Sequence, residues 1–401
     1  MYDPSRLSSL LAANGIDAMV ACTRENVRYL GGFDPVVKTL NPYHGVCWVV
    51  VTRDAPGTIH VLHSRGESDQ ILDATAPVGE TELYGTFYRE YGGEIALDAE
   101  ERRLLELMNG SEAGTRPAGA AIKLLTRLGL QSADVAIDED GIARPLEEEV
   151  RDALPDCRFR PGSELLRHVR RVKTAAEVDR LRDAAQSLES AIFASAAVTA
   201  IGSTEADVAR SFERALVADG ARPALTMLKV GRAAVGGQRR QLASIAAEAG
   251  DLLWYDCDAV KDGYWADIAR VFAFGDDSRY RPRFEALHTG QREAMELIRP
   301  GMTGAQAFDL TMSIVHRAGF PEYRRHHVGH GIGLEPYERP ILAPGNNDLI
   351  EAGMVISVET PYYEFGLGAL HIEDPILVGE TENTRLTRTG GDLQIIAPGA
   401  A

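Results

Sequence analysis

Residues 252–274 set three aspartates into two runs of strand-forming residues, LLWYDCDAVK and YWADIARVFAF, that meet at Asp262-Gly263. Such a pattern reads as a β-hairpin, and its register decides which carboxylates face one another. With Lys261-Asp262 as the two-residue loop, Asp256 lies opposite Asp267; with Asp262-Gly263 as the loop, Asp258 takes that place. Directly paired residues have Cβ atoms about 5 Å apart, so either register brings two carboxylates together, and Asp256 and Asp258 share a face. Like charges so placed are destabilising unless a cation lies between them. The plainer account is a solvated turn bordered by aspartates.

Two further runs, MVISVETPYY and HIEDPILV, read as strands carrying one glutamate each, Glu359 and Glu373, among apolar neighbours. A buried carboxylate is costly unless a basic side chain or a metal faces it, with a structural salt bridge as the simpler case. The segment HHVGHGIGL adds His326, His327 and His330 among closely spaced glycines, where backbone approaches a ligand easily. One of these imidazoles would complete a carboxylate-rich site; a surface histidine cluster is the alternative.

At 401 residues, 45% apolar and 25% charged, the chain is expected to form two globular domains. No apolar run approaches the ~20 residues of a membrane span, and MYDPSRLSSL lacks a basic stretch followed by an apolar core. With Cys22, Cys47, Cys157 and Cys257 scattered singly, this reads as a cytoplasmic protein with reduced thiols, neither secreted nor membrane-bound. The formal net charge of −17 repels phosphates and excludes nucleic acid as a partner.

RLSSLLAANGIDAMVAC reads as an amphipathic helix stopped near Gly15 and then a buried strand. Strand-like runs at 46–52 and 58–62 and helical patterns at 101–108 and 118–128 indicate an α/β domain. Thr174 and Glu177 form a capping box ahead of Val178, Leu181, Ala185, Leu188 and Ile192 at helical spacing. The domains are accordingly 1–165 and 166–401. The second reads as helices from Thr204 to Gly220 and after Thr303, with strands at 252–259, 264–274, 354–360 and 370–378, that is, helices on one side of a curved antiparallel sheet.

Together with RLSSLLAANGIDAMVA, ENVRYLGGF and VKTAAEVDRLRDAA, these motifs resemble the pita-bread metallopeptidase family, which includes methionine aminopeptidase, Xaa-Pro aminopeptidase, prolidase and the metal-free creatinase. The resemblance covers nearly the whole chain and implies an α/β protein with a creatinase-like N-terminal domain and a pita-bread catalytic domain. It implies five metal ligands, Asp256, Asp267, His330, Glu359 and Glu373, in the motifs D-x10-D, GHGIG and the strands ending in ET and IED. Such a set suits two divalent ions, Mn²⁺, Fe²⁺, Co²⁺ or Zn²⁺. In that family the ions share a water whose proton passes to a glutamate, here Glu359. The implied activity is hydrolysis of an amide-type C–N bond in a small substrate such as an Xaa-Pro dipeptide, by a homodimer.

The chain departs from the family peptidases at several positions. Gln238 and Tyr337 stand where they carry two imidazoles that handle the scissile amide and the oxyanion, tasks a neutral donor reproduces only in part. Asp258 replaces a usual glycine and is a sixth candidate ligand. His371 replaces a usual arginine and is expected to share a strand face with Glu373. His326, a substrate-binding residue in the peptidases, and Arg270 are retained. Xaa-Pro dipeptides are therefore expected to be poor substrates, and Arg239 and Arg240 suggest a small anionic substrate instead, the plainer alternative being that both face solvent. The Asp-x-Asp hairpin also resembles the dimethylsulfoniopropionate lyases of this fold, which makes elimination, or creatinase-like chemistry, the alternative. A dead binding protein is disfavoured by the five remaining ligands. The aromatic stretch Tyr84, Phe87, Tyr88 and Tyr91 is expected to help enclose substrate, across a dimer interface, with a packed domain edge as the alternative.

Overall fold

In the computed structural model, which describes residues 2–396, Lys261 pairs with Tyr264 and Asp258 with Asp267. The hairpin thus takes the second of its two registers. Asp262 and Gly263 have φ of 48° and 79°, the left-handed pair that a two-residue turn needs to match strand twist. The other register would put Lys261 at such a position, whereas Asp and Gly tolerate it.

The chain divides into two compact units, Met1–Arg170 and Arg171–Ala401. The first contains a six-stranded sheet of β1 (Ala18–Ala21), β2 (Trp48–Thr52), β3 (Ile59–Ser64), β4 (Val78–Tyr84), β5 (Asp134–Ile137) and β6 (Arg158–Pro161), in the order β4-β3-β2-β1-β5-β6. Its opening helix, Pro4–Ala13, is capped by the Asp3 side chain and ends before Gly15, whose φ is 63°. Val20, Trp48, Leu62, Leu124 and Val135 belong to the core that joins this sheet to the helix Pro117–Arg127.

In the second unit β7 (Arg222–Val230), β8 (Leu252–Lys261), β9 (Tyr264–Phe274), β10 (Gly329–Gly331), β11 (Glu338–Ile341), β12 (Val355–Glu359) and β15 (Glu373–Leu377) form a sheet in the order β11-β10-β12-β15-β9-β8-β7. Strand β16 (Thr384–Arg385) adds to β15 and β17 (Gln394–Ile396) to β9, while β13 (Tyr362–Glu364) and β14 (Gly368–Leu370) pair separately. Helix Ala175–Ala197 packs on β8 and β9, Glu205–Ala218 on β7, and Arg281–Leu297 on β12 and on Gly304–Arg317. Both predicted capping boxes form, at Thr174/Glu177 and Thr303/Gln306. The fold is the pita-bread arrangement expected from the motifs. One expected strand, 370–378, is broken: residues 368–370 pair with β13, and pairing with β12 and β9 starts only at Glu373. His371 therefore sits where the chain changes partners, not on the strand of Glu373.

Arg270 is a buried tie between layers. Its Nη2 donates to Asp374 Oδ1 at 2.6 Å and to Glu189 Oε1 at 3.2 Å, and its Nη1 donates to the Glu373 carbonyl at 2.9 Å. Both carboxylates are buried, so Arg270→Met would leave them without their facing charge. A stability loss of about 3–5 kcal/mol in denaturant unfolding is expected; a loss below about 1 kcal/mol would show that the network relaxes around the gap.

Candidate metal centre

Sheet order brings together residues distant in sequence. Glu359, the last residue of β12, pairs with Glu373, the first of β15, and Glu373 pairs with Ala269 of β9. On β8, Asp256 pairs with Ala269 and Asp258 with Asp267. His330 lies in β10 between β11 and β12, opposite Ser357. Gly329, with φ of 148°, makes that close approach possible, since a Cβ there would collide with the Ser357 carbonyl. Five strands thus present Asp256, Asp258, Asp267, His330, Glu359 and Glu373, all buried, to one region.

The imidazole of His330 sets its Nε2 3.6 Å from Asp267 Oδ2 and 3.7 Å from Glu373 Oε1, while its Nδ1 lies 3.0 Å from the Gly331 carbonyl. His371 sets Nε2 3.3 Å from Glu359 Oε2 and 3.4 Å from Glu373 Oε2, with Nδ1 3.4 Å from Asp256 Oδ2. Among the described residues two groups are close enough to hold an ion, Asp256/His371/Glu373 and Asp267/His330/Glu373.

Electrostatics describe a site short of positive charge. Burial and then the facing Asp258 carboxylate push Asp267 well above the usual range, and burial and then Glu359 do the same to Glu373. Burial, with Asp256 adding to it, pushes Asp258 up to about 7 although it shares a hydrogen bond with Asp267. Burial would also raise Glu359, but the imidazoles of His327 and His371 overcome it and hold this carboxylate below its ordinary range. For His371 burial works downward, and the facing carboxylates, Asp256 foremost, push it up to about 10. Asp267 Oδ1, His330 Nε2, Glu373 Oε1 and both ring nitrogens of His371 are buried without a hydrogen-bond partner among the described residues. Buried polar atoms are rarely left so, and a divalent cation is the partner that suits this donor set.

A cavity of about 640 Å³ opens over the centre, lined among others by Gln238, Arg239, Trp254, Arg325, His326 and Tyr337. Asp256 and Glu359 form part of its wall. Gln238, His326 and Tyr337 thus share one cavity, and the Tyr337 ring stacks on His330 at 3.7 Å between centroids. Of the arginine pair after Gln238, Arg239 lines the cavity and Arg240 does not. The aromatic stretch lies in the first unit, where the Tyr84 hydroxyl donates to the Val46 carbonyl at 2.8 Å and Phe87, Tyr88 and Tyr91 are exposed.

Two residues had no assigned role from sequence, His327 within its histidine cluster and Arg325. His327 brings its Nε2 to 2.8 Å from Glu359 Oε1, with the Tyr337 hydroxyl 3.5 Å away. Arg325 lines the cavity, its guanidinium 5.9 Å from the centroid of the Tyr363 ring. A signal for His327 existed in the paired histidines, but nothing in the string said which would face the glutamate.

Carboxylates and imidazoles converging from several strands beneath an open cavity define a metal-binding hydrolytic centre. Residues 179–380 match the model of metallopeptidase family M24, and residues 5–172 match the creatinase/prolidase N-terminal domain; the chain belongs to metallopeptidase family M24. It is similar to the Xaa-Pro dipeptidase of Pyrococcus furiosus, 29% identical over 242 residues, or 59% of this chain and 68% of that protein. The probable dipeptidase PepE of Mycobacterium tuberculosis is 30% identical over 250 residues, 59% of this chain and 66% of that one. Among solved structures, the Xaa-Pro dipeptidase from Bacillus anthracis superimposes with a TM-score of 0.78 at 23% identity, covering 98% of this chain and 99% of that one. The prolidase from Pyrococcus horikoshii OT3 gives 0.75 at 22%, with coverage of 98% and 99%. At these identities the structural likeness speaks for the fold.

Proposed function

We propose that this chain is a metal-dependent dipeptidase, in which Asp256, Asp267, His330, Glu359 and Glu373 hold two divalent ions and Asp258 adds a sixth carboxylate. The observation that carries this reading is the set of buried donor atoms on Asp267, His330, His371 and Glu373 that lack a hydrogen-bond partner among the described residues, beside Asp256 and Glu359 on the wall of the cavity. Two bound cations would lower the pKa of a water molecule and polarise the scissile carbonyl. Glu359, on the cavity wall, takes up the proton, and His327 beside it holds the carboxylate ionised for that purpose. Gln238 and Tyr337 supply neutral donors toward the developing oxyanion. The relatives' names support a dipeptide substrate. Arg239 and Arg325 leave two guanidinium groups on the cavity wall for a substrate carboxylate, since a planar fork matches that group.

The test is a panel of dipeptides, Xaa-Pro among them, assayed after loading with Mn²⁺, Co²⁺ or Zn²⁺, with products identified by mass. Hydrolysis of free-carboxylate dipeptides is expected, falling at least about tenfold for the corresponding C-terminal amides. With two imidazoles replaced by Gln238 and Tyr337, Xaa-Pro substrates should stay below a kcat/KM of about 10⁴ M⁻¹s⁻¹. Absence of hydrolysis for every peptide and metal, or products lacking an added water, would overturn the dipeptidase reading in favour of elimination.

A further inference from the structure

Resting on the reading that the centre holds divalent cations, we propose that His371 is a metal ligand, so that each of the two ions carries its own imidazole and Glu373 bridges them. The two imidazoles address different oxygens of one carboxylate, since His330 Nε2 faces Glu373 Oε1 and His371 Nε2 faces Glu373 Oε2. Each completes a separate donor group, Asp267/His330/Glu373 on one side and Asp256/His371/Glu373 on the other. The family resemblance provides one imidazole only; the second comes from the position where an arginine is usual.

His371 is 1% exposed, and neither ring nitrogen has a hydrogen-bond partner among the described residues although carboxylate oxygens lie 3.3–3.4 Å away. Those spacings are long for charge-assisted hydrogen bonds. They match neighbouring ligands on one ion, because metal–ligand bonds of about 2.1 Å set adjacent donor atoms about 3.0–3.4 Å apart in octahedral to tetrahedral geometry. The break between β14 and β15 gives the side chain its place, since His371 is free of both ladders there. An imidazole on each ion shifts the preference away from Mn²⁺ and toward Co²⁺ or Zn²⁺.

The test uses full-length protein labelled with ¹⁵N-histidine, titrated with Co²⁺, and its bound metal measured by elemental analysis. Two paramagnetically shifted imidazole signals are expected in the unaltered protein at two ions per chain. One should remain in His371→Asn and a different one in His330→Asn. The weaker Co²⁺ affinity should fall at least about 100-fold in His371→Asn, more than the loss of an outer-shell partner produces. Two bound ions with a single shifted imidazole, or one ion beside a protonated His371, would overturn the proposal by making His371 a counter-charge. The unaltered protein's spectrum decides this even should the variants not fold. Failure to bind cobalt at all overturns the metal centre itself, whereas two shifted imidazoles without peptide turnover would leave this inference standing and remove the dipeptidase reading.

Discussion

Glu373→Gln is expected to empty the centre of metal and to lower kcat/KM by at least about 1,000-fold, or about 4 kcal/mol of transition-state stabilisation. Glu373 is common to both candidate donor groups, so its loss strikes both ions. The replacement is nearly isosteric and the site is buried, so folding is not expected to fail. Elemental analysis after dialysis, beside peptide turnover, checks this; full metal occupancy in the variant would refute Glu373 as a shared ligand. Metal removal from the unaltered protein supplies a second arm. Without cations, Glu373 and Asp267 have folded pKa values well above their ordinary ones, and Asp258 lies at about 7. Groups of this kind bind protons more tightly when folded, so stability falls as pH rises from about 4 upward. His371, raised to about 10, adds stability that is complete below its ordinary pKa and fades as pH rises toward 10. Depressed Glu359 acts only below about pH 4, where its contribution fades as pH falls. Melting of the metal-free protein should therefore move to lower temperature between about pH 5 and 9, and added divalent metal should reverse that slope. A flat profile without metal would mean the carboxylates are not clustered in solution.

Glu359→Gln should behave differently, lowering kcat by about 100- to 10,000-fold, the range for removing a positioned general base. Gln keeps a carbonyl oxygen toward the centre but accepts no proton. Metal content should accordingly fall less than in Glu373→Gln, because Glu359 belongs to neither of the two three-residue groups. The contact with His327 at 2.8 Å offers a control. His327→Asn should reduce kcat less than Glu359→Gln does and leave metal content intact, since the imidazole touches the base and not the donor groups. Should Glu359→Gln retain more than a tenth of kcat, the proton goes elsewhere, and His327 becomes the next candidate.

Local chemistry carried much of this protein in one dimension. Capping boxes at Thr174 and Thr303 marked helix starts because a side-chain oxygen and a backbone N–H three residues on satisfy each other without help from afar. Alternating and apolar runs marked β8, β9 and β12 within a few residues. Strand β7 was not anticipated, because Pro223 and a register shift beside it disguise an exposed sheet edge. The hairpin's two possible registers were visible, and turn chemistry at Asp262-Gly263 chose between them.

What the string determined by itself was the set of acidic and imidazole residues too costly to bury alone, and the turns and caps that depend on neighbours within a few positions. Tertiary structure alone decided which of them meet. Ladder pairing placed Glu359 against Glu373, and a change of strand partner at residue 371 brought His371 into the same centre. It also turned His327 toward Glu359, Arg325 into the cavity and Arg270 away from it into a buried ion network. The reason is physical: pairing register and side-chain direction are set by contacts between segments a hundred residues apart, and no local preference encodes the final distance between them.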